Sequence, residues 1–246
     1  MTVAILPMSS LQRAKSRLAD VLPDETRQRL VVTMFEDVLA ALRACQAVSS
    51  TLVVTPDETI SELAEARGVS VIRERAMRGL NPAIARACVR VRRGGAQRLL
   101  IVPGDIPLAS ADEFSTVLQA LDAGHDIAVV PAHDGLGTNA LAMAAGVDFA
   151  PLFGMCSHAR HLAQAKARGL TACSLRLTGI GRDIDLPTDL HELAVRDCAG
   201  RYDFLRDSGR VPRGRLGSVN FGGETARLRG ASSTTYQFQA DSEETL

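Results

Sequence analysis

Short apolar segments of strand length alternate with longer segments of helical periodicity over the first three quarters of the sequence. The apolar segments lie at residues 3–6, 51–54, 69–72, 99–102, 127–130 and 173–177. Between the first two, residues 24–45 repeat apolar side chains every three or four positions, which is typical of a helix packed against a sheet. Because the strands are continuously apolar, we predict an α/β fold in which helices cover both faces of a mostly parallel sheet, an αβα sandwich.

The 246 residues are enough for one large α/β domain. After about residue 201 the periodic pattern gives way to Arg, Gly, Ser, Thr and Gln, with few and scattered apolar residues. Such a composition does not supply a hydrophobic core of its own. We therefore predict one domain over residues 1–200 and a tail over residues 201–246 that is either flexible or docked on the body or on a partner subunit.

Charge and cysteine content exclude several classes of function. The formal net charge is zero, aromatic residues make up 4% of the chain, and Trp is absent, so we expect no nucleic-acid partner. The five cysteines are odd in number and lack C-x-x-C spacing, which is typical of reduced thiols in the cytosol. The first residues have neither the apolar length nor the basic start of a signal peptide, so we expect none, and no apolar run approaches membrane-spanning length. We expect a soluble, cytoplasmic protein without a membrane partner. The sequence is compatible with a homodimer.

Two widely separated groups of aspartates predict a metal site. Asp105 follows the apolar run at residues 99–103, and Asp183 and Asp185 lie far downstream. Ligands of open α/β sheets bind beyond the carboxyl ends of the strands, which is where Asp105 should lie. Mg²⁺ takes one or two protein carboxylates and leaves its other positions to water and phosphate oxygens. We predict a Mg²⁺ site that combines Asp105 with a carboxylate of the downstream group; for each acid alone, a helix start or a turn is the alternative.

Basic residues follow the first strand at alternate positions, namely Arg13, Lys15 and Arg17. At the mouth of the sheet, such cations would neutralise a triphosphate as it binds and as pyrophosphate departs. The alternative is an ordinary solvated loop, because no Walker motif GxxxxGK[ST] occurs in the chain.

Several short motifs occur in one order. They are Arg13-Ala14-Lys15-Ser16-Arg17-Leu18, Gly79-Leu80-Asn81, Pro103-Gly104-Asp105-Ile106-Pro107, Asp134-Gly135-Leu136-Gly137-Thr138-Asn139-Ala140-Leu141, Phe153-Gly154 with Ser157 and His161, and Asp183-Ile184-Asp185-Leu186-Pro187. Over roughly residues 3–195 this ordered set resembles the phospholactate guanylyltransferase family of coenzyme F420 biosynthesis, which is similar to nucleotidyltransferases with a glycosyltransferase-A-like fold.

The resemblance implies an enzyme that transfers a guanylyl group from GTP to a small phosphorylated three-carbon acid and releases pyrophosphate. It implies catalytic roles for Lys15, Arg17, Asp105 and Asp185, with Mg²⁺ on Asp105 and Asp185 or Asp183. Substrate contacts are expected at Asn81, over the nucleotide, and at Thr138, Asn139, Gly154 and Ser157, around the acceptor. From the residues alone, Asn81 and Ser157 are equally typical helix N-caps, and Asn139 a turn amide.

Three departures from the family pattern bear on the substrates. Where relatives commonly have Val-Lys-Pro-Leu, this chain has Met8-Ser9-Ser10-Leu11, so Lys15 and Arg17 must supply the charge for the triphosphate. Ala132-His133-Asp134 replaces Asp-Arg-Asp, and Gly154-Met155-Cys156-Ser157-His158 replaces Gly-Pro-Gly-Ser-Phe, both where the acceptor should bind.

Family acceptors include 2-phospho-L-lactate, phosphoenolpyruvate and 3-phospho-D-glycerate. We favour the last, because His133, Cys88 or His158 could bind its additional hydroxyl group. The alternatives are another nucleotidyltransferase acting on a sugar phosphate or molybdopterin, a glycosyltransferase using a nucleotide sugar, and a non-catalytic GTP-binding module.

Overall fold

The computed structural model describes residues 1–74, 79–197 and 199–207. Within these residues, seven strands form one sheet in the order β3-β2-β1-β4-β6-β5-β7. The strands are β1 (Thr2–Pro7), β2 (Ser50–Thr55), β3 (Ser70–Arg73), β4 (Arg98–Ile101), β5 (Ile127–Pro131), β6 (Thr138–Ala144) and β7 (Ala172–Ser174).

Helices cover both faces of the sheet. They are α1 (Asp24–Ala44), α2 (Glu58–Ala66), α3 (Leu80–Arg93), α4 (Ala111–Asp122), α5 (Ser157–Ala167), α6 (Pro187–Arg196) and the short α7 (Asp203–Asp207). One hydrophobic core contains Phe35 of α1, Phe114 of α4 and Leu190 of α6. A second core contains Ile84 of α3 and Ala165 of α5. The predicted αβα sandwich is therefore confirmed.

The sheet is mostly parallel, as predicted, with one exception. β1 pairs in parallel with both β2 and β4, while β6 pairs antiparallel with both β4 and β5. Because the chain leaves β1 for β2 on one side and later returns to β4 on the other, the sheet has a switch point between β1 and β4, where α/β proteins bind ligands. Since β6 runs in the opposite direction, its first residue, Thr138, lies at the same edge as the last residues of the parallel strands.

The pairing of β5 with β6 shifts register at this edge. Val130 is opposite Ala140, whereas the next residue, Pro131, is opposite Thr138, so Asn139 is an extra residue on β6. Such irregularities redirect side chains near binding sites. Here Thr138 contacts α5, and the neighbouring Asn139 contacts the segment that precedes α6.

The first residues of the predicted tail belong to the packed body. Tyr202 and Leu205 are buried in the core on the α1 side, and the Tyr202 hydroxyl donates to Asp37 of α1 at 2.5 Å. The Arg201 guanidinium contacts the same carboxylate at 2.7 Å. Residues 201–207 of the predicted tail therefore pack against the body, and residues 208–246 lie outside the described residues.

Among the described residues, no helix combines the length and the apolar character that a membrane crossing requires.

Candidate active site

Lys15 joins two of the predicted metal ligands at the switch point between β1 and β4. Its Nζ lies 2.6 Å from Asp105 Oδ2 and 2.5 Å from Asp185 Oδ1. The Lys15 side chain is 7% exposed, whereas those of Asp105 and Asp185 are 32% and 38% exposed. Burial by itself lowers the pKa of Lys15, but the two carboxylates outweigh that effect and raise the pKa above its usual value. A protonated ammonium group therefore bridges two acids that remain open to solvent on their other sides.

The loop after β1 is anchored so that Lys15 points into the site. Leu11, Ala14 and Leu18 are buried in the core, and the Leu11 amide donates to the Asp57 carboxylate at 2.9 Å. Lys15 itself has a φ of 55°, in the left-handed region, which costs a non-glycine residue about 1–2 kcal/mol. The two ion pairs of the ammonium group offset this strain.

The turn that carries Asp105 packs closely against the same loop. A Cβ atom on Gly104 would lie 2.1 Å from Sδ of Met8, so only glycine fits at this position while Met8 keeps its place. The Asp105 carbonyl accepts a hydrogen bond from the Ile184 amide at 3.0 Å. Asp105 is thus fixed between the loop after β1 and the segment that carries Asp183 and Asp185.

Asp189 positions Asp185 from the first turn of α6. It is 4% exposed, and its Oδ2 accepts hydrogen bonds from the amides of Asp185 at 2.9 Å and Leu186 at 2.7 Å. Sequence reasoning missed this role. The available signal was an acid two residues after Pro187 at a helix start, where such side chains commonly accept from preceding amides.

Glu113 supports the same segment from α4. It forms the capping box with Ser110 that the sequence predicted, and its carboxylate also accepts from the amides of Gly179 at 2.7 Å and Ile180 at 3.2 Å. The second role was not predictable from the capping pattern, because it joins residues that are 66 positions apart.

Asp183 lies beside the bridged pair but has different partners. The Asn139 amide donates to Asp183 Oδ1 at 3.1 Å, and His133 Nδ1 is 3.6 Å from the same oxygen. Burial raises the pKa of Asp183, the neighbouring Asp105 and Asp185 raise it further, and the hydrogen bond from Asn139 offsets part of the increase. Asn139 and His133 therefore lie next to the acids.

Arg17 extends the positive charge toward solvent. Its guanidinium lies 3.6 Å from Asp185 Oδ2, and its side chain is 71% exposed. The four residues predicted to be catalytic, namely Lys15, Arg17, Asp105 and Asp185, therefore form one cluster of alternating charge.

A second, neutral cluster connects β6 with α5. The Thr138 hydroxyl lies 3.1 Å from His161 Nδ1 and accepts from the Ser157 hydroxyl at 3.1 Å. Cys156 precedes α5 in a left-handed conformation with a φ of 53°, and Gly154 has a φ of 117°. Ser157 is the first residue of the helix and is not its N-cap, because Cys156 occupies that position. Thr138, Gly154 and Ser157, predicted to bind the acceptor, thus lie around one helix start.

Residues 2–211 match the family described as guanylyl transferase CofC like. The chain belongs to this family. It is therefore a nucleotidyltransferase that transfers guanylyl groups, as the sequence predicted.

Two relatives and one solved structure illustrate the range of this guanylyl transferase CofC-like family and of its fold. The chain is 40% identical over 193 residues to the phosphoenolpyruvate guanylyltransferase of Sphaerobacter thermophilus, covering 78% of this chain and 92% of that protein. It is 38% identical over 204 residues to the 3-phospho-D-glycerate guanylyltransferase of Phenylobacterium zucineum, covering 82% of this chain and 93% of that protein. A solved nucleotidyl transferase structure from Methanothermobacter is 21% identical to this chain, with a TM-score of 0.56. The match covers 84% of this chain and 99% of that protein. This last likeness confirms the predicted nucleotidyltransferase fold.

The side-chain amide of Asn81 forms two hydrogen bonds within the CofC-like chain. Its amide donates to the Phe153 carbonyl at 2.9 Å, and its carbonyl accepts from the Phe153 amide at 2.8 Å. The interpretation of Asn81 as a helix N-cap is wrong, because α3 begins at Leu80 and its N-cap is Gly79. Asn81 joins the start of α3 to the segment that leads to Gly154.

Cys88 does not contribute to the site. It is 1% exposed in the core beneath α3, and burial raises the pKa of its thiol to about 11. Its suggested role as a polar group at the mouth of the site is therefore wrong. His158 lies on α5, where its Nε2 is 2.9 Å from the Ser174 hydroxyl.

Asp105 and Asp185 are the residues that could hold the Mg²⁺ predicted from the sequence. In the described part of the chain, no three carboxylate, imidazole or thiol groups are arranged so that they could hold a metal ion. Mg²⁺ requires fewer protein ligands when a substrate supplies phosphate oxygens. Asp105 and Asp185 already face a single cation, the ammonium group of Lys15. Their oxygens are the type of ligand that this metal prefers.

Proposed function

We propose that this enzyme joins GMP from GTP to a small phosphorylated three-carbon acid, with 3-phospho-D-glycerate as the favoured acceptor, in coenzyme F420 biosynthesis. The names of the Sphaerobacter and Phenylobacterium relatives support a phosphorylated acid as acceptor. One observation in the site carries the proposal. Lys15 bridges Asp105 and Asp185 at the switch point of the sheet, so a positive charge and two carboxylates meet where a triphosphate would bind.

The reaction forms one bond and breaks another. A phosphate oxygen of the acceptor attacks the α-phosphorus of GTP, and the bond from that phosphorus to the oxygen bridging to the β-phosphorus breaks, so pyrophosphate leaves. The attacking oxygen is already ionised near neutral pH, so the reaction does not require a general base. Catalysis then depends on orientation and on neutralising the charge of the phosphates.

Asp105 and Asp185 are the residues that would hold Mg²⁺. When bound there, Mg²⁺ would supply positive charge to the phosphate oxygens of the two substrates. We propose that the Lys15 ammonium group, which pairs with both carboxylates in this structure, turns to the triphosphate when GTP binds. Arg17, which is largely exposed, would donate hydrogen bonds to the β- and γ-phosphates.

The acceptor would bind at the neutral cluster. The Thr138 and Ser157 hydroxyls and the backbone at Gly154 surround the start of α5, where the positive end of the helix dipole favours an anion. His133 supports 3-phospho-D-glycerate, because its imidazole lies at the mouth beside Asp183 and is 38% exposed. That position suits a donor to the hydroxyl group that the other two acids lack.

Product analysis tests the reaction. The full chain is incubated with Mg²⁺, each of the four common nucleoside triphosphates and each of the three acids, and the products and pyrophosphate are measured by mass spectrometry and a coupled assay. We expect a guanylylated acid and stoichiometric pyrophosphate only with GTP. Turnover with a different nucleotide, or products only with a sugar phosphate, would contradict the proposal.

A His133→Ala variant tests the acceptor. If His133 binds the hydroxyl of 3-phospho-D-glycerate, its removal should lower kcat/KM for that acid by roughly tenfold to a hundredfold more than for 2-phospho-L-lactate. His191→Ala, an exposed histidine on α6, is the matched control. An equal loss with both acids would remove the support for 3-phospho-D-glycerate.

A further inference from the structure

His161 is a buried histidine that the proposed reaction does not use directly. It lies on α5 with 0% exposure, and its ring centroid is 5.8 Å from that of Phe149 and 5.4 Å from that of Phe153. Burial, followed by the charges of Arg160 and His158, lowers the pKa of His161 to about 4. The imidazole is therefore neutral near pH 7 and carries a single N–H group.

The hydrogen bonds of His161 determine which nitrogen carries that proton. The Leu152 amide donates to Nε2 at 2.8 Å, so Nε2 is the acceptor. The proton must then be on Nδ1, which donates to the Thr138 hydroxyl oxygen at 3.1 Å. The neutral imidazole is thus fixed in one tautomer by the backbone of a neighbouring loop.

Thr138 consequently has a defined role as a donor. Its hydroxyl oxygen accepts from both His161 Nδ1 and the Ser157 hydroxyl, which fills its two acceptor positions. Within the described residues no acceptor contacts its own proton. That proton is left to donate to a ligand, and Thr138 is 6% exposed, so only a small part of the side chain meets solvent.

The same imidazole also fixes the loop that carries Gly154. Leu152, held by Nε2, precedes Phe153, whose backbone is bound on both sides by the Asn81 amide group. His161 therefore links three parts of the acceptor pocket: the loop before Gly154, the hydroxyl of Thr138 and, through it, Ser157.

We propose that His161 is the positioning residue of the acceptor pocket, and that it directs the Thr138 hydroxyl as a donor toward an anionic oxygen of the acid. This inference rests on the proposed function and goes beyond it, because His161 acts through Thr138 and has no contact with the substrate. The prediction is specific to the acid: GTP binding does not depend on the direction of the Thr138 hydroxyl.

Two amide variants separate the two hydrogen bonds. In Asn, the amide nitrogen is as many bonds from Cβ as Nδ1 is in His, so His161→Asn keeps a donor for Thr138. In Gln, the amide oxygen is as many bonds from Cβ as Nε2 is, so His161→Gln keeps the acceptor for Leu152 and loses the donor. Both changes remove the ring, which makes each variant the control for the other.

We expect His161→Gln to raise the KM of the acid by about tenfold, the size of one lost oriented hydrogen bond, with His161→Asn closer to wild type. The Kd for GTP, measured by calorimetry, should stay within about twofold of wild type in both. In a Thr138→Val background, His161→Gln should cause little further loss, because the two residues act through one hydroxyl. Equal losses in the two amide variants, or a parallel loss of GTP affinity, would overturn the proposal and indicate a structural role.

A spectroscopic measurement on the wild-type protein keeps the inference testable whatever the acceptor is. Long-range ¹H–¹⁵N correlation spectra at neutral pH should show His161 as the neutral Nδ1–H tautomer. A charged ring, or a proton on Nε2, would overturn the inference without reference to catalysis. Failure of the proposed function would be seen separately, as the absence of turnover with any acid by the wild-type enzyme.

Discussion

The two halves of the site hold their groups by different physical means. Around Lys15, Asp105 and Asp185, opposite charges meet at a surface that is partly open to solvent. Around Thr138, Ser157 and His161, neutral groups are buried and share hydrogen bonds of fixed direction. Charge contacts tolerate an exchange of partners, because they depend weakly on angle, whereas buried hydrogen bonds depend strongly on it. The charged half is therefore suited to exchanging cations and phosphates, and the neutral half to holding one small molecule in one orientation.

The largest effect is expected from Asp105→Asn. Removal of one carboxylate from the charged half should lower kcat by about a hundredfold or more, as the loss of a contact made in the transition state does. The Asp105 side chain is partly exposed, so the melting temperature should change little. Asp148→Asn, whose carboxylate is 99% exposed, is the matched control. Near-normal turnover by a folded Asp105→Asn protein would show that the charged half does not carry the reaction.

Lys15→Met tests whether the ammonium group occupies the place of a metal ion. Without it, Asp105 and Asp185 repel one another, so the nucleotide-free protein should bind Mn²⁺ about tenfold more tightly, measured by electron paramagnetic resonance. The affinity for GTP should fall by a similar factor in calorimetry, because a charged contact to phosphate is lost.

Lys166→Met, at the only other lysine in the sequence, is the control for both measurements. If Lys15→Met weakens the binding of Mn²⁺ and GTP alike, the ammonium group organises the acids and does not exchange with the metal.

The pH dependence of stability should differ in sign between the two halves. The pKa of His161 is lowered from 6.5 to about 4, chiefly by burial. Between these values the unfolded chain binds a proton that the folded protein does not, so His161 lowers the free energy of unfolding as the pH falls. Its slope is at most about 1.4 kcal/mol per pH unit. Asp183, beside the charged half, has the opposite effect. Burial raises its pKa, so the folded protein binds the proton more tightly than the unfolded chain does, and Asp183 raises the free energy of unfolding as the pH falls.

Urea unfolding between neutral and mildly acidic pH measures both contributions. His161→Gln should flatten the decrease in stability on acidification, and Asp183→Asn should make it steeper. If the free energy of unfolding changed with pH in both variants as it does in wild type, the expected difference in sign between the two halves would be contradicted.

The smallest effect is expected from a change outside both halves. Tyr202→Phe removes the hydrogen bond to Asp37 and, among the described residues, leaves that partly buried carboxylate with Arg201 alone. The expected cost is about 1–2 kcal/mol of stability, seen as a decrease of several degrees in the melting temperature. The kcat/KM for either substrate should not change, since no residue of the site contacts this pair. A change in kcat/KM would mean that the segment at residues 201–207 influences one of the halves.

The charged half was largely predictable, but its arrangement was not. The motifs around Lys15, Asp105 and Asp185 indicated a site for a metal and phosphates, and the structure brings all three together. The sequence did not indicate that Lys15 bridges the acids. One signal was available: only two of the 28 basic residues are lysines, and the compact ammonium group of lysine, unlike guanidinium, fits between two carboxylates.

The neutral half was predictable residue by residue, but the connections among its members were not. Thr138, Gly154 and Ser157 were found from their motifs, whereas the hydrogen bond from His161 to Thr138 spans 23 positions and that from Asn81 to Phe153 spans 72. Asn81 is a residue type that is typical of helix caps and ligand contacts. It forms hydrogen bonds within the chain only because α3 and the loop before α5 meet in space.

Local patterns in the sequence determined the elements: continuous apolar runs make strands, apolar spacing makes helices, and the Ser110 and Glu113 capping box starts α4, because these depend on neighbouring residues alone. Tertiary structure decided what depends on the register and order of strands. The antiparallel β6 and its shift at Asn139 bring Thr138 to the edge where Asp105 follows β4, and the same packing takes Tyr202 and Leu205 into the core. Contacts of this kind arise from the sum of many weak packing interactions between distant segments, which no short pattern in a sequence encodes.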